Sequence, residues 1–262
     1  MITKNIRFYK NSLSAVIHYP EFPKKQHPAV LFVHGFVGSK VGAHRLFVKA
    51  AQALTEAGYI SFRFDFGGCG ESDGDYRDVT VSKQMNELKE AITYVSQLDH
   101  VDPEQIILIG HSLGGAITSL TAHQFPEIKQ IVLWSPVARP YFDITAIAGD
   151  EAIEIAEIEG VYDYHGFLLS HDFFEDLKQH QPLETIELFN GSVLIVHGDQ
   201  DQDVPKENAM TYANQISQKD TKRLVDFTFI EAADHTFSNT AWEQQLFTKT
   251  IQWLGNMRDP RS

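Results

Sequence analysis

Cysteine is nearly absent from this chain. Its 262 residues hold one, Cys69, which excludes an intramolecular disulfide framework and a CxxC metal or redox pair. Cys69 also has no basic neighbour in sequence to depress its pKa, so it reads as a small packed residue. Positive charge is short as well: 22 Lys and Arg against 35 Asp and Glu leave a formal net charge of −13. No basic patch is visible to neutralise phosphates, so neither nucleic acid nor an anionic membrane is expected as a partner. The acidity serves solubility. Long apolar runs are missing too, since none approaches the ~18 residues of a membrane span. Met1-Ile2-Thr3-Lys4-Asn5 has no apolar h-region or cleavage site, so a cytoplasmic protein is expected. The glycine-dense stretch from Asp65 to Gly74 lacks a G-K-[ST] sequence, and its acidic residues would repel phosphate. No metal and no cofactor are expected.

Apolar content is ordinary, with 43% hydrophobic and 22% charged residues, and the length suits one α/β unit. Asn5 to Phe8 and Ser14 to Tyr19 alternate weakly and predict two edge strands joined through Lys10-Asn11. Pro20 to Pro28 reads as a surface loop. Continuous apolar strands follow at Ala29–Val33, Ile60–Asp65, Ile106–Ile109, Gln130–Ser135, Val193–Val196 and Leu224–Ile230. Helical spacing marks Ala43–Ala57, Val81–Leu98, Ala116–Ala122, Lys206–Ser217 and Thr240–Leu254. Asp102-Pro103 predicts a turn, and Asp259–Ser262 a loose tail. Strands alternating with helices predict a mostly parallel sheet of about eight strands, covered on both faces.

The alternation breaks between residues 136 and 190. That stretch holds Pro140, Tyr141, Phe142, Tyr162, Tyr164, Phe167, Phe173 and Phe174 beside an acidic run from Asp150 to Glu159. It predicts a small helical cap inserted after the sixth strand, over the sheet edge where open α/β sheets bind ligands. Ile153, Ile155, Ile158 and Leu177 are its expected inward face, and packing onto the body is the alternative role of its aromatics. Residues 1–135 and 191–262 make up the core.

Three stretches carry chemistry. The strand Ile106–Ile109 runs through Gly110-x-Ser112-x-Gly114 directly into a helix, the pattern of a nucleophile elbow. Such a turn lifts a serine hydroxyl above the sheet edge, and the unpaired N–H groups of the helix start stabilise negative charge beside it. His34-Gly35-Phe36 follows another buried strand. In an acyl-transfer site of this layout the N–H groups of Phe36 and Leu113 hold the developing oxyanion, each worth ~3 kcal/mol. A serine needs a base, and the base an orienting acid. His235, between the last strand and the closing helix, is the candidate base. Asp199, Asp201 and Asp203 crowd the turn after Val196.

His34-Gly35, Asp65-Phe66-x-Gly68-x-Gly70-x-Ser72, Gly110-His111-Ser112-Leu113-Gly114-Gly115, His197-Gly198-x-x-Asp201-x-x-Val204-Pro205 and Asp234-His235 together resemble the successive signatures of the α/β-hydrolase superfamily. The resemblance implies the α/β-hydrolase fold, with Ser112 as nucleophile, Asp201 as acid and His235 as general base. Asp203 stands in reserve, and Asp199 shapes the turn. Within the superfamily the chain is most similar to small bacterial cinnamoyl/feruloyl esterase-like carboxylesterases, although Leu113 stands where they commonly carry Gln. That likeness implies a cofactor-independent serine carboxylesterase for small acyl or aryl esters. Asp143 and a cap tyrosine (Tyr141, Tyr162 or Tyr164) would read the substrate. A thioesterase or small peptidase would use the same triad, and a non-catalytic small-molecule binder is the rival from another class. A small ester is the expected partner, and a homodimer is left open.

Overall fold

The computed structural model describes residues 1–21, 26–219 and 224–258. Its strands are β1 (Ile2–Phe8), β2 (Leu13–Tyr19), β3 (His27–Val33), β4 (Ile60–Phe64), β5 (Val101–His111), β6 (Gln130–Trp134), β7 (Val161–Tyr164), β8 (Phe167–Ser170), β9 (Ser192–Gly198) and β10 (Val225–Ile230). The helices are α1 (Leu46–Glu56), α2 (Val81–Ser96), α3 (Leu113–Thr121), α4 (Pro140–Ala148), α5 (Glu151–Glu159), α6 (His171–Leu177), α7 (Pro182–Thr185), α8 (Glu207–Lys219) and α9 (Thr240–Arg258).

Eight strands form one sheet in the order β1-β2-β4-β3-β5-β6-β9-β10. From β4 to β10 all neighbours are parallel, while β1 and β2 add on antiparallel. The continuous apolar runs follow from burial on both faces. Ala29, Leu31, Val33, Ile106 and Leu108 point into one core with residues of α2 and α3. Val30, Phe32, Ile107, Ile109, Val132 and Trp134 point into the other, with residues of α1 and α9. This is the predicted mostly parallel sheet with helices on both faces. No described helix is long and apolar enough to cross a membrane.

Several local expectations are corrected. β2 is not an edge strand: it pairs with both β1 and β4, and all seven of its residues are buried. Asp102-Pro103 lies inside β5, at a shift in its register with β3 between the pairs His27–Val101 and Ala29–Ile106. There the Glu104 N–H donates to Asp102 Oδ1 at 3.1 Å, so the turn chemistry is real but makes a bulge. The elbow helix begins at Leu113, three residues before the apolar run at Ala116. The expected loop at Pro20–Pro28 lies partly, and the tail Asp259–Ser262 wholly, outside the described residues.

The stretch between β6 and β9 adds no strand to the main sheet, but it is not wholly helical. β7 and β8 pair as an antiparallel hairpin, turning at His165 and Gly166 with φ of 52° and 88°. Positive φ at both central residues suits a two-residue hairpin turn. In α5 the buried positions are Ala152 and Ala156, whereas Ile158 is 75% exposed; Leu177 is buried as expected.

Candidate active site

Ser112 stands between β5 and α3 at φ 58°, ψ −125°, a conformation that costs a non-glycine residue roughly 1–3 kcal/mol. Its surroundings hold it there. The Ser112 N–H donates to the Trp134 carbonyl at 3.0 Å, and the Ser112 carbonyl accepts from Gly115 and Val137 N–H groups at 2.9 and 3.1 Å. The flanking glycines are obligatory for lack of space. A Cβ on Gly110 would lie 2.4 Å from the Gly114 carbonyl oxygen, and one on Gly114 would lie 2.1 Å from that of Val33.

The same closeness brings the segment after β3 to the serine. A Cβ on Gly35 would sit 2.8 Å from Ser112 Cβ and 3.3 Å from Leu113 N, so the backbone of Gly35-Phe36 runs directly beside the start of α3. His34 fixes this segment as a neutral ring. Its Nδ1–H donates to the Gly35 carbonyl at 3.0 Å, while Nε2 accepts the Phe66 N–H at 3.1 Å. Burial holds the His34 pKa below the ordinary value, opposed by the Gly35 carbonyl and the Asp65 charge. The next residue, Val37, has φ 44°, and its N–H donates to the Tyr76 hydroxyl at 3.0 Å.

A cavity of about 480 Å³ opens at this point, lined by Phe36, Val37, Phe47, Ser112, Phe167 and His235, among others. None of its lining residues is Asp, Glu, Lys or Arg. His235 Nδ1–H donates to Asp201 Oδ2 at 2.7 Å, which leaves its Nε2 as the basic nitrogen. Asp201 Oδ1 accepts the N–H groups of Asp203 and Val204 at 3.0 and 2.8 Å. Its side chain is fully buried. Burial alone would raise its pKa, but hydrogen bonds from His197 and His235, the His235 charge and the Val204 N–H together hold the carboxyl well below the usual range. His111, which also lines the cavity, donates Nε2–H to the His235 carbonyl at 2.9 Å. Desolvation, reinforced by the neighbouring His235, pushes His111 from the ordinary 6.5 down to about 3.

The two other aspartates of the turn separate cleanly. Asp199 accepts the Ala232 N–H at 2.6 Å, tying the turn after β9 to the loop after β10. Asp203 is exposed and contacts Asp201 only through its own backbone N–H. Ser112, Asp201 and His235, with the backbone of Phe36 and Leu113, are therefore brought to one place.

The expected substrate readers are not brought together. Asp143 is 3% exposed, and its Oδ2 already accepts the N–H groups of Ala138 and Arg139 and the Asn208 amide, at 3.0, 3.0 and 2.8 Å. It anchors the start of α4 and does not line the serine's cavity. Tyr141 lines a separate surface cavity with Phe142, Lys178 and His180. Tyr164 is beside the site, its ring centroid 5.3 Å from that of Phe36. Two residues without a motif complete the surroundings: Phe167, from the hairpin, lines the cavity, and Tyr76 packs 5.1 Å from it.

Comparison with known proteins agrees with this architecture. The model of the prolyl oligopeptidase family matches residues 45–260. An Escherichia coli protein, described as an uncharacterized 31.7 kDa protein in the traX-finO intergenic region, is 34% identical over 107 residues. That match takes in 41% of this chain and 36% of the relative, so it spans about a third of that protein. Human mitochondrial palmitoyl-protein thioesterase ABHD10 is 25% identical over 94% of this chain and 80% of its own. Est1E from Butyrivibrio proteoclasticus, solved with ferulic acid bound, shares the fold at a TM-score of 0.77. It is 24% identical, with 92% of this chain and 94% of that one covered. With its eight-stranded sheet and elbow, the chain is a hydrolase of the α/β-hydrolase fold, and it belongs to the prolyl oligopeptidase family.

Proposed function

We propose that this protein is a serine carboxylesterase for small, uncharged acyl or aryl esters. The observation that carries the reading is the shared cavity of Ser112 and His235, with Asp201 hydrogen-bonded to the far side of the imidazole. His235 takes the Ser112 proton as Oγ attacks the ester carbonyl. The N–H groups of Phe36 and Leu113 hold the oxyanion, and Asp201 stabilises the imidazolium. His235 then protonates the leaving alcohol, and water releases the acid from the acyl-enzyme by the reverse route.

The substrate class rests on the lining. A peptidase that measures from a chain end needs a charged partner for the terminal ammonium or carboxylate, and none of the residues lining this cavity supplies one. Phe36, Phe47 and Phe167 favour an apolar or aromatic acyl group. Residues 136–190 act as the cap that carries Phe167 and Tyr164 to the mouth. Thioester hydrolysis is the second reading, favoured by the likeness to a palmitoyl-protein thioesterase over most of both chains. It uses the same residues and leaves a thiol in place of an alcohol.

The test is hydrolysis of p-nitrophenyl esters of increasing acyl length, methyl hydroxycinnamates and acyl thioesters by wild type and Ser112→Ala. Turnover of at least one series is expected, lost in Ser112→Ala at unchanged thermal stability. Turnover that survives the substitution would overturn the reading.

A further inference from the structure

One fully buried ring touches the acid of this site and has no part in the mechanism above. His197, at the end of β9, has no exposed surface. Its Nε2 lies 3.1 Å from Asp201 Oδ2 and 3.0 Å from the Val204 carbonyl oxygen. Its Nδ1 is buried without a hydrogen-bond partner among the described residues. The two contacts are both acceptors, so the proton sits on Nε2 and is shared between them. The bare Nδ1 then carries only a lone pair, which is cheaper to bury unpaired than an N–H. Asp201 Oδ2 thus receives two imidazole donors, His235 and His197.

We propose that His197 is a positioning residue that tunes the base of this site through Asp201, by drawing off part of the charge of the oxygen that faces His235. The inference rests on the serine-hydrolase reading. The carboxylate does not depend on His197 for its place, because Oδ1 is held by the N–H groups of Asp203 and Val204. Removing the His197 donor therefore leaves Oδ2 where it is and returns its full charge to His235. The titratable groups around His197 are Asp201 and His235, on the loops after β9 and β10, and His111 at the end of β5. Of these His111 donates to the His235 backbone and not to Asp201. A stronger hold on the His235 imidazolium keeps that ring protonated, and so unable to act as a base, to higher pH.

The experiment follows p-nitrophenyl acetate hydrolysis and fluorophosphonate labelling of the full chain from pH 5 to 9. It compares wild type, His197→Leu, His197→Gln and His197→Asn. Leu removes the donor. The Gln amide reaches as far as Nε2 and restores it, whereas the Asn amide stops at the position of Nδ1. The acid limb of kcat/KM is expected to move up by roughly one pH unit in Leu and Asn, the lower end of what one charged neighbour does, and to return in Gln. If Leu does not fold, the contrast between Gln and Asn carries the same result. A limb that stays put in Leu and Asn, or moves down, overturns the proposal while Ser112→Ala remains inactive. Activity that persists in Ser112→Ala removes the reading beneath it, and the proposal with it.

Discussion

Gly35→Ala is the sharpest test of how the oxyanion segment is held. The new methyl group would stand 2.8 Å from Ser112 Cβ and 3.0 Å from the His111 carbonyl oxygen. A normal carbon–carbon contact is ~3.6 Å, so the two backbones must part by about 0.8 Å. Neither neighbour yields easily, because the elbow is tied to Trp134 and Val137 and the other side to His34 and Tyr76. Parting them carries the Phe36 N–H away from the oxygen that forms on the Ser112 side. Misplacement by about 1 Å, or loss of one oxyanion donor, costs roughly 100-fold in rate. We expect kcat for p-nitrophenyl acetate to fall roughly 100-fold with KM within about threefold, since Phe47 and Phe167, which line the cavity from other elements, stay in place. Overpacking costs about 1–3 kcal/mol, seen as a lowered Tm. Gly255→Ala is the control, in α9 with nothing within 4 Å of the added Cβ; it should leave kcat alone. A Gly35→Ala enzyme with kcat within twofold of wild type would refute the assignment of Phe36 to the oxyanion site.

Tyr76→Phe removes the acceptor of the Val37 N–H and should cost about 1 kcal/mol of stability. It should also lower kcat severalfold at constant KM, and steady-state kinetics with equal losses in both would argue for a mere packing role. His111→Gln addresses pH. The folded chain keeps His111 neutral down to about 3, whereas the unfolded chain protonates it below 6.5. The folded-state pKa is depressed, so this contribution is whole above 6.5 and is lost as pH falls toward 3, by at most about 1.4 kcal/mol per pH unit. Gln keeps a donor for the His235 carbonyl without titrating, so its Tm should fall less steeply between pH 6.5 and 4. Parallel Tm curves for the two proteins would refute it.

Much of the fold was legible because the parallel strands are buried on both faces and therefore spell continuous apolar runs. Where polar residues are buried, the reading failed for a physical reason. Ser14 and His18 make β2 look half-exposed. Yet His18 accepts the Arg63 Nε–H at 3.2 Å and lies 3.0 Å from Thr3 Oγ1, and these partners come from the neighbouring strands. Asp143 misled in the same way, since its third partner, Asn208, is 65 residues further on. The hairpin β7–β8 escaped notice because each strand has four residues, too few for a period to declare itself beside the turn at His165-Gly166. The site itself was legible through glycines and short motifs, whose spacing is dictated by backbone approach. Tyr76 and Phe167 carry no such local mark.

That division follows from how the site is made. Ser112, Phe36, Asp201 and His235 all leave the C-terminal ends of adjacent or nearby strands, β5, β3, β9 and β10. The sheet thus sets their positions, and a strand-plus-glycine sequence is enough to announce them. What holds each group in its working state is a set of side-chain contacts: Tyr76 for the strained Val37 and His111 for the His235 backbone, both from distant parts of the chain, and His197 for Asp201, four residues along. They join side chains to backbone or carboxylate atoms. They set rates and pH limits and leave the chemistry unchanged. Substitutions at Ser112 therefore ask whether the protein is a serine hydrolase, while substitutions at the supporting residues ask how well its geometry is tuned. Only the second set can separate this site from any other with the same motifs.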